Sequence, residues 1–252
     1  MEKAKKNRII DICIIVLVFI VCVSFPINLI TSNDYAIYGT QTALRLVSIL
    51  FTLIYIDKSK YLSSMKNKTN WWALLILLPT IIVLPNNFYY LAFEGNLLQN
   101  NYENIYILRF FLTLSVACSE ELIFRKVMFD NIHIKNNLLK ILLTAGIFGL
   151  MHIIVFLSTF NPFDLIQIVY TFGIGVILGF IYTYGKNIYV CIIYHFLFNL
   201  LNSDLYQMLS TQEIRPSFFI IAVIVGFITG LILLFEYLFY FYKKEKLEQT
   251  SN

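Results

Sequence analysis

Charged side chains are scarce in this chain. They make up 13% of its 252 residues, against roughly 25% in an ordinary soluble domain. With 59% hydrophobic residues and a mean hydropathy of +0.74, that shortage excludes a soluble globular protein and defines an integral membrane one. No basic cluster interleaved with aromatics accompanies the net charge of +4, so nucleic acid is not an expected partner. No CxxC pair occurs either. The four cysteines (Cys13, Cys22, Cys118 and Cys191) are scattered through apolar runs and read as small buried hydrophobes. The HExxH signature of helical zinc proteases is missing, and there is no internal repeat, low-complexity tract or soluble domain. No A-x-A-like cleavage site follows the apolar run behind MEKAKKNR. That run also exceeds the ~7–15 residues of a signal-peptide core, so it reads as a retained first span.

What is present is a series of apolar runs with short connectors. A helix crosses the hydrocarbon core in about 20 residues, which places candidate spans at 9–30, 40–56, 71–93, 105–129, 138–160, 163–184, 188–202 and 217–242. With the N-terminus inside, all of the 19 lysines and arginines except Arg45, Arg109 and Arg215 fall on the cytoplasmic side. Such a bias is what the positive-inside rule requires. The expectation is an all-α transmembrane bundle of eight spans forming one domain over 1–252. Both termini are cytoplasmic, and a short tail covers 243–252. GVILG (175–179) and GFITG (226–230) carry GxxxG spacing and read as helix-packing surfaces.

Against this background a few ionisable groups lie within spans: Glu120, Glu121, His152 and His195, with Arg125 near the inner end of the fourth. A charge at the bilayer centre costs about 2.5–3.5 kcal/mol on insertion scales, so such residues face the bundle interior and mark function. At 100° per residue Arg125 lies nearly above Glu121, an i,i+4 partner, while Glu120 points about 100° away and is freer to face a site. FGLMH (148–152) places Phe148 and His152 at i,i+4, and HFLFN (195–199) does the same for His195 and Asn199. His133 falls in a connector and reads as a solvated loop residue. Amide hydrolysis would use such a set. A carboxylate helped by imidazole deprotonates water, and imidazole and carboxamide N–H groups stabilise the oxyanion. Alternatively, His and Glu groups could hold Zn²⁺.

EELIFR (120–125), FGLMH and HFLFN match EExxxR, FxxxH and HxxxN. In that order, on three spans within about 105–202, they resemble the CPBP intramembrane proteases. These are the type II CAAX prenyl endopeptidases and their bacterial relatives, including bacteriocin-processing and immunity proteins. The resemblance implies Glu120 as the water-activating base with His152 as its partner, and His195 with Asn199 as the oxyanion site. Glu121 and Arg125 then position Glu120. It leaves open whether water is activated by glutamate alone or by Zn²⁺ or another divalent metal on Glu120, His152 and His195. The Ile, Asn, Lys, Phe and Tyr bias points to an AT-rich genome, hence a bacterial cytoplasmic membrane. The expected partner is a peptide or membrane-protein substrate. A non-catalytic immunity or scaffold protein is the alternative. A transporter proton relay is disfavoured by the absence of repeat symmetry.

Overall fold

The structure is a computed structural model describing residues 2–58, 68–87, 89, 105–153, 157, 164–205, 216–244 and 246. Among the described residues every regular element is helical. The α-helices are α1 (Glu2–Val23), α2 (Asp34–Lys58), α3 (Trp71–Ile76), α4 (Ile105–Glu121), α5 (Asn137–Met151), α6 (Asp164–Phe180), α7 (Ile188–Asn199) and α8 (Pro216–Glu236). Four of them start on asparagine caps, α2 among them, where Asn33 Oδ1 accepts from the Ala36 amide. Asn70 accepts from the Ala73 amide, Asn136 from Leu139, and Asn187 from Tyr189 and Val190. Each cap satisfies donors that the first turn leaves unpaired.

Four helices are long and apolar enough to cross a membrane: Ile10–Leu29, Asp34–Ile56, Gln167–Gly185 and Ile221–Lys244. Asn137–Met151 and Ile188–Asn202 are shorter apolar helices. Leu29, Val169, Val223 and Phe239 are among many large apolar side chains left exposed. An exterior of that kind is stable against lipid and is a liability in water. The molecule is a helical membrane protein.

Some boundaries differ from the hydropathy reading. The second span is longer than expected, since α2 runs for 25 residues. The expected 71–93 span is not one helix. α3 ends after six residues, and a 3₁₀ segment, Leu78–Val83, follows with Pro79 in its first turn. Proline has no amide hydrogen and its ring collides with the carbonyl four residues back, so an α-helix cannot run through it undisturbed. Residues 88 and 90–93 of that span lie outside the described residues, as do 154–156 and 158–160 of the expected 138–160 span.

α4 is flanked by α2 and α7, and α5 packs along α6. The α5–α6 approach depends on the GVILG pair. A Cβ on Gly175 would sit 3.1 Å from the Cα of Ala145, and one on Gly179 would sit 2.7 Å from Ile141 Cγ2. The GFITG pair differs, because a Cβ on Gly226 or Gly230 would meet nothing within 4 Å. Gly175→Ala is therefore expected to cost about 1–3 kcal/mol by overpacking. Gly226→Ala should stabilise by up to about 1 kcal/mol through helix propensity. Thermal unfolding in detergent would check both, and equal midpoints for the two variants would contradict the packing.

Candidate active site

The site is built around α4. Its last turns bury Ser115, Ser119, Glu120 and Glu121, and beyond Glu121 the backbone continues as a π-helix, Leu122–Phe129. π turns are rare and occur mostly as interruptions of α-helices, frequently at functional sites. Arg125 stays in register with Glu121 across the junction. Its Nε donates to Glu121 Oε2 at 3.1 Å, and neither side chain is exposed at all. Arg125 Nη2 donates to the Gly175 carbonyl of α6 at 3.3 Å, and the guanidinium lies 5.5 Å from the Phe148 ring centroid. A charge withdrawn this fully from solvent is tolerable only when paired and hydrogen-bonded.

The second oxygen of Glu121 reaches α7. His195 Nδ1 lies 2.9 Å from Glu121 Oε1. A carboxylate facing a guanidinium is an acceptor, so Nδ1 carries the proton and donates. The other nitrogen, Nε2, is then aimed away from Glu121 and lies 3.9 Å from Glu120 Oε2. It bears a lone pair in neutral imidazole and a second N–H in imidazolium. Glu121 thus joins α4 to α7 through one carboxylate.

His152 closes the C-terminus of α5. Its Nδ1 is 3.0 Å from the Phe148 carbonyl, which can only accept, so Nδ1 donates and Nε2 is left as an acceptor. Phe148 is fully buried and forms the common wall of the site. Its ring meets those of His152 at 5.3 Å, His195 at 5.8 Å and Phe124 at 4.9 Å, all edge to face. Asn199, one turn beyond His195 on α7, sits just before the π-helical turns Leu200–Leu205.

Glu120, His152, His195 and Asn199 all line one cavity of about 870 Å³. Its walls are otherwise largely aromatic and aliphatic, with Phe19, Phe25, Tyr170 and Phe198 among them. Glu121 and Arg125 do not reach this cavity and stand behind it. His133 is elsewhere, exposed in the α4–α5 connector.

One site residue escaped the sequence reading. Arg45 of α2 lines the cavity, and its Nη1 lies 3.5 Å from Glu120 Oε1 and 3.4 Å from Ser119 Oγ. Its guanidinium also stands 5.5 Å from the Phe19 ring. Charge counting places Arg45 at the outer side as an exception. The usable signal was its place in the middle of an apolar run, where a cation must find a partner.

Among the described residues no three His, Cys, Asp or Glu groups are arranged to hold a metal ion. The cation that Glu120 faces is the Arg45 guanidinium. As placed, these side chains do not fit an ion.

The fold and the site together define a membrane-embedded helical protein with carboxylate, imidazole and carboxamide groups gathered at an apolar cleft. Residues 102–201, which hold all three motifs, match the family described as type II CAAX prenyl endopeptidase Rce1-like, a family of proteases. Comparison with curated proteins gives no match, and neither does comparison with solved structures.

Proposed function

We propose that the chain is an intramembrane endopeptidase that hydrolyses a peptide bond of a membrane-associated peptide or protein. The observation that carries this reading is the shared cavity. Glu120, His152, His195 and Asn199 line it, while the Glu121–Arg125 pair is sealed behind. Glu120 takes a proton from a water molecule, and the hydroxide adds to the scissile carbonyl carbon. In its imidazolium form, with Nδ1–H held by Glu121, His195 donates Nε2–H to the resulting oxyanion, and so does the Asn199 carboxamide. When the C–N bond breaks, the proton held by Glu120 passes to the departing amine. Once Glu120 has taken the proton from water, the His152 Nε2 lone pair accepts a hydrogen bond from the Glu120 carboxyl group. Arg45 fixes the Glu120 carboxylate, and Glu121 with Arg125 fixes His195. The substrate enters as an apolar segment, which the aromatic cavity lining accommodates. The charge asymmetry supports eight spans with both termini inside, and the Ile, Asn, Lys, Phe and Tyr bias supports a bacterial cytoplasmic membrane.

The test compares membrane and secreted peptides from cells carrying the parent, His195→Ala or Asn199→Ala at equal protein levels. Loss of an oxyanion donor costs about 10²–10³ in turnover, so cleavage products should disappear in both variants and uncut precursor should accumulate. Unchanged peptides with intact biological activity would favour the non-catalytic immunity or scaffold reading.

A further inference from the structure

A second cavity, of about 400 Å³, lies at another part of the molecule and shares no lining residue with the first. Lys68, Phe129, Asp130, Tyr182, Thr183 and Lys186 line it. We propose that it is a binding site for a phosphate-bearing group, gripped by Lys68, Lys186 and the Thr183 hydroxyl. The proposal stands independently of the proteolytic reading.

The connectors that carry the two lysines are held together. The Asn70 amide donates to the Gly185 carbonyl at 2.9 Å, and Asn187 Nδ2 donates to Thr69 Oγ1 at 2.9 Å. Each lysine is next to one of these ties. Neither lysine makes an ion pair among the described residues. Among the described residues Asp130 is the one acidic group lining the cavity, and it is already engaged. Lys126 Nζ lies 3.0 Å from Oδ2, and the Tyr182 hydroxyl is 3.0 Å from each oxygen. Lys140 adds a further cation 4.2 Å above the Phe129 ring. Four ammonium groups therefore surround one carboxylate, leaving net positive charge to be answered from outside.

Two further observations point to a ligand. Thr183 Oγ1 is buried with no hydrogen-bond partner among the described residues, a state that buried hydroxyls rarely keep. Lys186 has φ 56° and ψ 32° and is the non-glycine residue with positive φ among the described residues. That left-handed position ends a helix and is usually filled by glycine or asparagine. Both stand beside it but are used otherwise. A Cβ at Gly185 would collide with Leu74, and Asn187 caps α7. Holding a lysine there strains the backbone. Strain of this kind gathers at ligand clamps.

A phosphate presents several acceptor oxygens to converging ammonium and hydroxyl donors, which suits this set better than a single carboxylate. The charge asymmetry assigns this end of the bundle to the cytoplasmic face, where basic pockets between helices take anionic headgroups. An anionic phospholipid and free phosphate share that chemistry.

The experiment uses the full-length protein in neutral detergent and follows its thermal midpoint against added phosphatidylglycerol, phosphatidylcholine or inorganic phosphate. Phosphatidylglycerol should raise the midpoint saturably, and phosphatidylcholine should not. Lys68→Gln or Lys186→Gln should each weaken half-saturation about fivefold, as one near-surface lysine is worth about 1 kcal/mol. Lys186→Gly separates charge from strain, because it should unfold at a higher temperature than the parent without lipid and yet respond less to lipid. If inorganic phosphate reproduces the response, the bound group is free phosphate. A response to the lipid alone makes it a headgroup. Either result supports the site. No response to either probe would overturn it, and so would an undiminished response in the double variant Lys68→Gln/Lys186→Gln.

Discussion

Glu120→Gln is expected to abolish peptide-bond cleavage while leaving the protein folded. The amide keeps the size of the carboxylate and can still accept from Arg45, 3.5 Å away. It cannot take a proton from water. Loss of a positioned general base costs about 10²–10⁴ in rate, which would place turnover below detection in a peptide-profiling assay. The stability cost should be small, about 1–2 kcal/mol, because the Arg45–Glu120 pair lies at the cavity edge and the guanidinium retains an acceptor. A variant that processed a demonstrated substrate at the parental rate would remove Glu120 from the chemistry. A variant that failed to accumulate would be uninformative by itself, so the thermal midpoint is measured alongside.

Arg125→Leu is expected to have the opposite profile. It leaves Glu121 charged, buried and facing only His195, and breaking a buried pair from one side costs about 3–5 kcal/mol. For a marginally stable protein that is a large share of the total, so the midpoint should fall sharply and expression with it. Removing both charges should recover much of the loss, since replacing a whole buried pair by apolar side chains is often neutral or stabilising. Glu121→Leu/Arg125→Leu would still lack the anchor for His195 Nδ1. The double variant should therefore fold and remain inactive. Recovery of stability together with activity would show that Glu121 and Arg125 serve packing alone. Failure to recover stability would show that their value lies beyond mutual neutralisation, for instance in the Arg125 bond to the Gly175 carbonyl.

Much of the site was legible in the sequence because its signals are local. The Glu121–Arg125 pair follows from helical spacing, and so does the placement of His195 with Asn199 one turn apart. A charge inside an apolar run announces itself against so few others. The missing pieces depend on distance along the chain. Arg45 and Glu120 are 75 positions apart, and Glu121 and His195 are 74 apart. No periodicity connects such pairs. The π-helical continuations of α4, α6, α7 and α8 were also invisible, since they change the turn without changing the apolar pattern. Hydropathy saw the apolar character of 71–93 and missed its break, although Pro79 was there to be read. GFITG carries the same spacing as GVILG and yet packs against nothing within reach. Spacing identifies a surface that permits close approach and does not supply the neighbour.

The pairing pattern on α4 and its π-helical extension also bears on how the chain is made. Glu121 and Arg125 neutralise each other within one turn, and Lys126 meets Asp130 in the same way. Glu120 meets Arg45, which is synthesised earlier. When this charged segment leaves the ribosome, its counter-ions are thus either in the same segment or already in the membrane. The partners of Glu121, Arg125 and Asp130 that come later in the chain include His195, which can arrive uncharged, the Gly175 carbonyl and the Tyr182 hydroxyl. That order is expected to lower the cost of moving so charged a helix into lipid as it emerges.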